Sequence, residues 1–179
     1  MHPSQHRRLT PLRTFSLQNF IINGYNGVWG IDHDDGSQFY NDTGNLMVWG
    51  GCKNYRGHSK SCDHNTILYP GDAQHSSGGR KCQTDDNGIF ANQYYHNNTC
   101  FNADGAAYSW GKCDASAVET ETYHTESNTF YSADGSFSSS CGKSLDLAAW
   151  QKLGQDHGSV TGKTPAIPEI LDLVAQHLK

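Results

Sequence analysis

An all-β chain wound as a solenoid of parallel strands is what the sequence predicts, and three observations carry that expectation. A short unit recurs along the chain, every copy begins with asparagine, and helix-like patterning is confined to the residues after Cys141. The composition agrees: 35% hydrophobic residues, 19 glycines and only 5 prolines in 179 residues make a polar, turn-rich chain in which helix cannot dominate. At this length one domain suffices, burying roughly two thirds of the surface that the unfolded chain exposes.

Taken in order, residues 1–13 are polar and basic, with Arg7, Arg8 and Arg13, and read as an N-terminal arm; Met1 to Leu17 has no apolar run of the kind a signal peptide needs. The coils begin near Thr14 and extend to residue 141. Their clearest copies are Asn98-Thr-Cys-Phe-Asn-Ala-Asp-Gly and Asn128-Thr-Phe-Tyr-Ser-Ala-Asp-Gly; shorter ones are Asn19-Phe-Ile-Ile-Asn, Asn45-Leu-Met-Val-Trp and Asn65-Thr-Ile-Leu-Tyr. The marker asparagines therefore advance by 26, 20, 33 and 30 residues, giving about five turns. Each copy is an asparagine, a run of β-branched or aromatic residues, and a Gly, Asp or Pro stop, the signature of a short strand entered from a corner. No amphipathic helix lies between copies to make a β-α-β crossover, so parallel stacking of coils follows. Stacked asparagines would bond to one another along the stack, which explains a polar residue at every corner. Residues 142–179 form the expected C-terminal helical cap. Ser144 to Leu153 reads as a helix with Ser144 as N-cap and Gly154 as stop; in the second helix Pro168 suits the first turn and Ile170, Leu171, Val174 and Leu178 make one apolar face.

Six cysteines, none in CxxC spacing, read as structural disulfides and an oxidising compartment. Their pairing stays open; Cys52 with Cys62 is the most local option, and Cys82 with Cys100 would tie successive segments. Sequons at Asn97-Asn98-Thr99 and Asn41-Asp42-Thr43 agree with a secreted or cell-surface protein. The net charge of -5 offers no basic stripe for nucleic acid, and no segment is long and apolar enough to span a membrane.

The phrase Gly30-Ile31-Asp32-His33-Asp34-Asp35-Gly36-Ser37, the asparagine-marked coils and the ending Leu147-Ala-Ala-Trp-Gln-Lys-Leu-Gly-Gln-Asp-His-Gly-Ser together resemble right-handed parallel β-helix proteins of the pectate-lyase-like superfamily, over most of the chain. Polygalacturonase-like hydrolases share an Asp-Asp pair followed by Gly-His, here Asp34-Asp35 and Gly57-His58; their further aspartate motif and Arg-x-Lys motif have no match. Alginate epimerases share an aromatic-Gly-apolar-Asp phrase, here Trp29-Gly30-Ile31-Asp32, with Trp29 where the family has tyrosine. The resemblance implies a carbohydrate-active protein, with hydrolysis of polysaccharide as the leading chemistry and a non-catalytic carbohydrate-binding or structural module as the alternative. It also implies the C-terminal portion of a longer β-helix.

Within that frame, coils rise by about 4.8 Å, so residues one coil apart become vertical neighbours. His58 follows Asp34 by 24 residues and Asp85 follows Lys60 by 25, both inside the observed coil lengths. Asp34 or Asp35 and Asp85 or Asp86 would then lie roughly 10 Å apart, as acid and base of an inverting glycosidase, with His58 and Lys60 on the coil between them to bind a uronic carboxylate, or His58 to move a proton. Trp29, His33, Tyr55 and Lys60 are the expected sugar-binding side chains, aromatic rings suiting the C–H faces of sugars. Against this, Asp-Gly and Asp-Asn-Gly are turn sequences, and adjacent aspartates in a strand point to opposite sides unless Gly36 breaks it. No cofactor is called for; Asp32, Asp34 and Asp35 offer hard oxygens for a calcium ion, although the EF-hand pattern fails. His64, His96 and His124 are read as corner residues. An open first coil would expose strand edges, so upstream coils, self-association or the 1–13 arm is expected to cover it.

Overall fold

The computed structural model describes residues 14–23, 29–70, 81–86, 92–110, 123–141 and 143–177, with the backbone alone described for residues 84–86, 110 and 141. Among these, strands come in triplets. The first coil comprises β1 (Thr14–Leu17), β2 (Phe20–Ile22) and β3 (Trp29–His33), and the second β4 (Tyr40–Thr43), β5 (Leu46–Val48) and β6 (Gly51–Tyr55). The third comprises β7 (Ser61–Asp63), β8 (Thr66–Leu68) and β9 (Gln83–Asp86), and the fourth β10 (Gln93–His96), β11 (Thr99–Phe101) and β12 (Ala106–Trp110). The fifth is β13 (Tyr123–Glu126), β14 (Thr129–Ser132) and β15 (Ser138–Cys141). First strands stack as sheet A, second strands as sheet B and third strands as sheet C, every coil-to-coil pairing being parallel. The chain is thus a parallel β-solenoid, its five triplets related by four coil-to-coil steps.

The marker asparagines form the expected ladder. Backbone N–H groups of Asn19, Asn45, Asn65 and Asn98 donate to Oδ1 of the next marker at 2.8–2.9 Å. The side-chain Nδ2 of each donates to the same Oδ1 at 3.0–3.3 Å. The second N–H of Asn45, Asn65, Asn98 and Asn128 returns to a carbonyl of the preceding coil, that of Ser16, Asp42, Cys62 and Tyr95. Buried amides are thereby satisfied where an unpartnered one would cost about 1–3 kcal/mol each. The residue before each marker holds a left-handed backbone: Gln18, Gly44, His64, Asn97 and Ser127, with φ from 52 to 66°. That conformation turns the chain from sheet A into sheet B, and explains why His64 sits at a corner.

The interior is a column of apolar side chains, Met47, Ile67, Cys100 and Phe130 stacked in sheet B register. Two disulfides, Cys52–Cys62 and Cys82–Cys100, staple neighbouring coils from within; such bonds suit an oxidising compartment. Cys113 lies outside the described residues, as does the side chain of Cys141.

The C-terminal segment departs from the sequence reading in detail. Ser144 lies in β16 (Lys143–Leu145), which turns back antiparallel on β15. Asp146, not Ser144, caps α1 (Leu147–Gln151), accepting the Ala149 N–H at 2.7 Å, and the helix stops at Gly154 with φ of 82°. Trp150, fully buried, closes the end of the solenoid against Tyr108. β17 (Val160–Lys163) extends sheet B, and α2 (Ile167–His177) returns along the solenoid until His177 meets Thr66 Oγ1 and Gly44 O, each at 3.1 Å. Its inward face is Ile170, Leu173, Val174 and His177; Leu171 is exposed, because a 3.6-residue period places it beside that stripe, and Leu178 lies outside the described residues. No helix among the described residues is long and apolar enough to cross a membrane.

Candidate functional site

The acidic phrase after Trp29 lies at the end of β3 and in the turn that follows. Asp34 to Ser37 is closed by the Ser37 N–H on Asp34 O at 3.1 Å, and Asp35 and Gly36 have φ of 47 and 79°. Two left-handed residues in succession make the primed hairpin type of turn, which Asp-Gly suits. Asp34 and Asp35 are exposed there. Asp34 and Asp32 hold Lys53 Nζ at 2.8 and 2.7 Å, beneath the rings of Trp29 and Tyr55 at 5.6 and 5.4 Å. Burial works to lower the Lys53 ammonium and is outweighed by the hydrogen bonds and charges of the two aspartates, which leave it raised. Of the three carboxylates that offered oxygens to calcium, Asp32 and Asp34 are engaged by this ammonium.

The expected vertical pairs on this side do not form. Sheet C pairs Asp32 with Lys53 and Lys53 with Thr84, offsets of 21 and 31 residues in place of 24 and 25. His58 therefore lies opposite Gln38, edge-on to Phe39 at 5.0 Å and with Nδ1 3.1 Å from Ser59 Oγ. Lys60 is fully buried and donates to Arg56 O at 2.5 Å, so it does not line an outer groove. His33 points inward, 8% exposed, with Nε2 2.6 Å from Oδ2 of the buried Asp42. The backbones of Asp85 and Asp86 pair with Asn54 and Tyr55; their side chains lie outside the described residues.

Sheet A carries a different constellation on its outer face. Residues alternate across a strand, so the buried Asp42, Cys62, Tyr95 and Thr125 face in and their neighbours face out. Two outward columns result. One runs Asn41, Ser61, Tyr94, His124; the other runs Thr43, Asp63, His96, Glu126, His157. Tyr94 stacks on His124 with centroids 4.5 Å apart and planes 13° from parallel, and meets His96 edge-on at 6.3 Å. Asp63 Oδ1 lies 2.6 Å from His64 Nδ1 and 2.9 Å from His96 Nδ1. Neither ring N–H is aligned on that oxygen, which is closed to solvent, so these are close polar contacts and not linear hydrogen bonds, ionic only where the imidazole is protonated. Asn97 Nδ2 is also 3.0 Å from His96 Nδ1, which accepts from the amide only when unprotonated.

Two adjoining depressions of about 340 and 270 Å³ run along this face and share Tyr94 and His96, one reaching Glu126 and His157, the other Asp63 and Asn41. The arrangement is a lateral groove with a carboxylate at each of two levels, an imidazole between them and an aromatic pair alongside. Sequence reading had the needed signal: Asp63, His96 and Glu126 each stand two residues before a marker asparagine. Of the sequons, Asn97 is exposed at a corner, while Asn41 accepts the Ser61 hydroxyl in the groove. Compared with family models, with curated proteins and with solved structures, the chain matches none.

Proposed function

We propose that this chain is a secreted, carbohydrate-active parallel β-helix, akin to the pectate-lyase-like superfamily, that lays a polysaccharide along the outer groove of sheet A and hydrolyses it between Asp63 and Glu126. One observation carries the reading: two carboxylates share one outward column with His96 between them. Two coil steps separate their backbones by about 10 Å, near the upper end of the spacing that leaves room for water in inverting glycosidases.

In that mechanism Asp63, flanked by His64 and His96, accepts a proton from water. The water oxygen bonds the anomeric carbon, the glycosidic C–O bond breaks, and Glu126 donates a proton to the departing oxygen. The Tyr94–His124 pair supplies an aromatic face for a neighbouring sugar, and Asn41 and Ser61 supply polar contacts for hydroxyls.

The test is an assay against neutral and acidic polysaccharides with Asp63→Asn and Glu126→Gln. Each variant is expected to lose about 10²-fold or more in kcat while retaining binding; Asp34→Ala and His58→Ala are expected to act as wild type. Glycan binding by the wild type without product would instead identify a non-catalytic carbohydrate-binding module, and the Tyr94–His124 stack alone would account for it.

A further inference from the structure

The chain leaves sheet B through the same corner in every coil, and the residue that opens it is Asn23, Trp49, Tyr69, Asn102 and Ser132 in turn. The first four are held in register by backbone N–H groups that donate to Val48 O, Leu68 O, Phe101 O and Tyr131 O of the following coil at 2.7–3.0 Å. In three coils a polar side chain closes the corner by donating to a carbonyl further along. Asn23 Nδ2 reaches Trp29 O and Asn102 Nδ2 reaches Ala106 O, each at 2.6 Å, and Ser132 Oγ reaches Ser136 O at 3.0 Å. Coils two and three break the pattern. Trp49 and Tyr69 are 36% and 41% exposed and hold left-handed backbones, with φ of 62 and 50°. That backbone makes a tight corner, but under a bulky side chain it is a genuine outlier. Where sheet A passes into sheet B the residues in the same conformation are Gln18, Gly44, His64, Asn97 and Ser127, none of them aromatic hydrocarbon. Turn geometry therefore explains the backbone at Trp49 and Tyr69 and leaves the two rings unexplained. The corner beneath them is rigid. A Cβ on Gly50 would overlap the Gly30 backbone and one on Gly51 that of Lys81, and Pro70 has its φ fixed directly after Tyr69.

We propose that Trp49 and Tyr69 form a second polysaccharide-binding platform, separate from the sheet A groove, on which successive pyranose rings of one chain rest as that chain runs parallel to the solenoid axis. The coil rise selects the ligand. It sets the two corners about 4.8 Å apart, close to the advance of one sugar in an extended chain. Same-face side chains of an extended peptide recur at about 6.7 Å and those of a polyproline helix at about 9 Å, so neither offers one group to each ring. Indole and phenol rings present flat apolar faces to sugar C–H groups and keep a polar edge for hydroxyls. Because the corner is fixed before the ligand arrives, little ordering entropy is lost on binding. Sheet B lies between the platform and the groove in sheet A, so substitutions can separate the two sites. The inference rests on the carbohydrate reading of this chain, and not on hydrolysis between Asp63 and Glu126.

The experiment is affinity electrophoresis of the full chain through gels holding hydroxyethyl cellulose, xylan or polygalacturonate, beside thermal unfolding of each variant. Trp49→Asn and Tyr69→Asn remove a ring and suit the left-handed backbone. Each is expected to weaken binding to at least one of these polymers by about fivefold to tenfold, with Tm within about 4 °C of wild type or higher. Trp49→Tyr and Tyr69→Phe keep a ring and are expected to keep most of the affinity. A wild-type chain retarded by none of the polymers overturns this inference together with the carbohydrate reading. Retardation that survives both asparagine variants and is lost in Tyr94→Ala overturns this inference alone and leaves the groove standing. A fall in Tm of more than about 4 °C in either asparagine variant shows that the fold itself uses the ring, and overturns the inference as well.

Discussion

Replacing Asp156 tests how the ladder ends. The residue is fully buried, and four donors converge on its carboxylate: Asn128 Nδ2 at 3.0 Å, Tyr108 OH at 3.2 Å, Ser159 Oγ at 2.5 Å and Trp150 Nε1 at 2.9 Å. Asp156→Leu keeps the branched shape and removes the acceptor. At about 1–3 kcal/mol for each of the four buried donors left unpaired, the loss is about 4–12 kcal/mol, comparable with the 5–15 kcal/mol that usually holds a domain. Thermal unfolding followed by Trp fluorescence should show Tm falling by more than about 10 °C. Asp156→Asn keeps the acceptor for Asn128 and turns an N–H toward Trp150, so about a third of that fall is expected. The pH dependence supplies a separate readout. Burial raises the Asp156 carboxyl above its usual 3.8, against the hydrogen bonds of Ser159, Asn128 and Tyr108, which lower it. The folded chain therefore keeps this proton at pH values where the unfolded chain has released it. The associated stability is complete below about 3.8 and is lost as pH rises through the folded value, a slope that Asp156→Asn should abolish. An Asp156→Leu variant within about 1 kcal/mol of wild type in a denaturant titration would refute the claim that the ladder needs a hydrogen-bond acceptor at residue 156.

Further expectations concern the same interior. Asn65→Ala, in mid-ladder, should cost about 3 kcal/mol or more in denaturant titration, whereas Asn19→Ala, at the exposed rung, should cost about 1; equal costs would contradict a cooperative ladder. Reducing Cys52–Cys62 and Cys82–Cys100, which close loops of 10 and 18 residues, should each remove about 3 kcal/mol by loop-closure entropy, seen as a lower Tm in reductant. Burial raises the Tyr95 and Tyr108 phenols well above 10, Asp156 adding to the effect, so their contribution is intact below pH 10 and lost above it as the unfolded chain ionises. Phenolate absorbance from these two should consequently appear only with unfolding.

The coil count and the corner amides were legible because asparagine spacing is itself the register: 26, 20, 33 and 30 residues separate the bonded rungs. The same offsets hold for anything close to a marker, which is why Asp63, His96 and Glu126 align. They fail for Asp34 and His58, since sheet C lies beyond corner loops of unequal length and its offsets become 21 and 31. The two disulfide options proved to be the bonds formed, yet only the stacking of coils brings Cys82 and Cys100 within 6.1 Å. Sequence by itself pointed to a parallel solenoid over a β-sandwich with Asn-rich turns, because an asparagine heading the same short strand unit in every copy satisfies its hydrogen bonds by stacking coil on coil. Tertiary structure alone decided which side chains line the outer face of each sheet: orientation in or out depends on strand alternation after each corner, and one residue of slip in a corner reverses it.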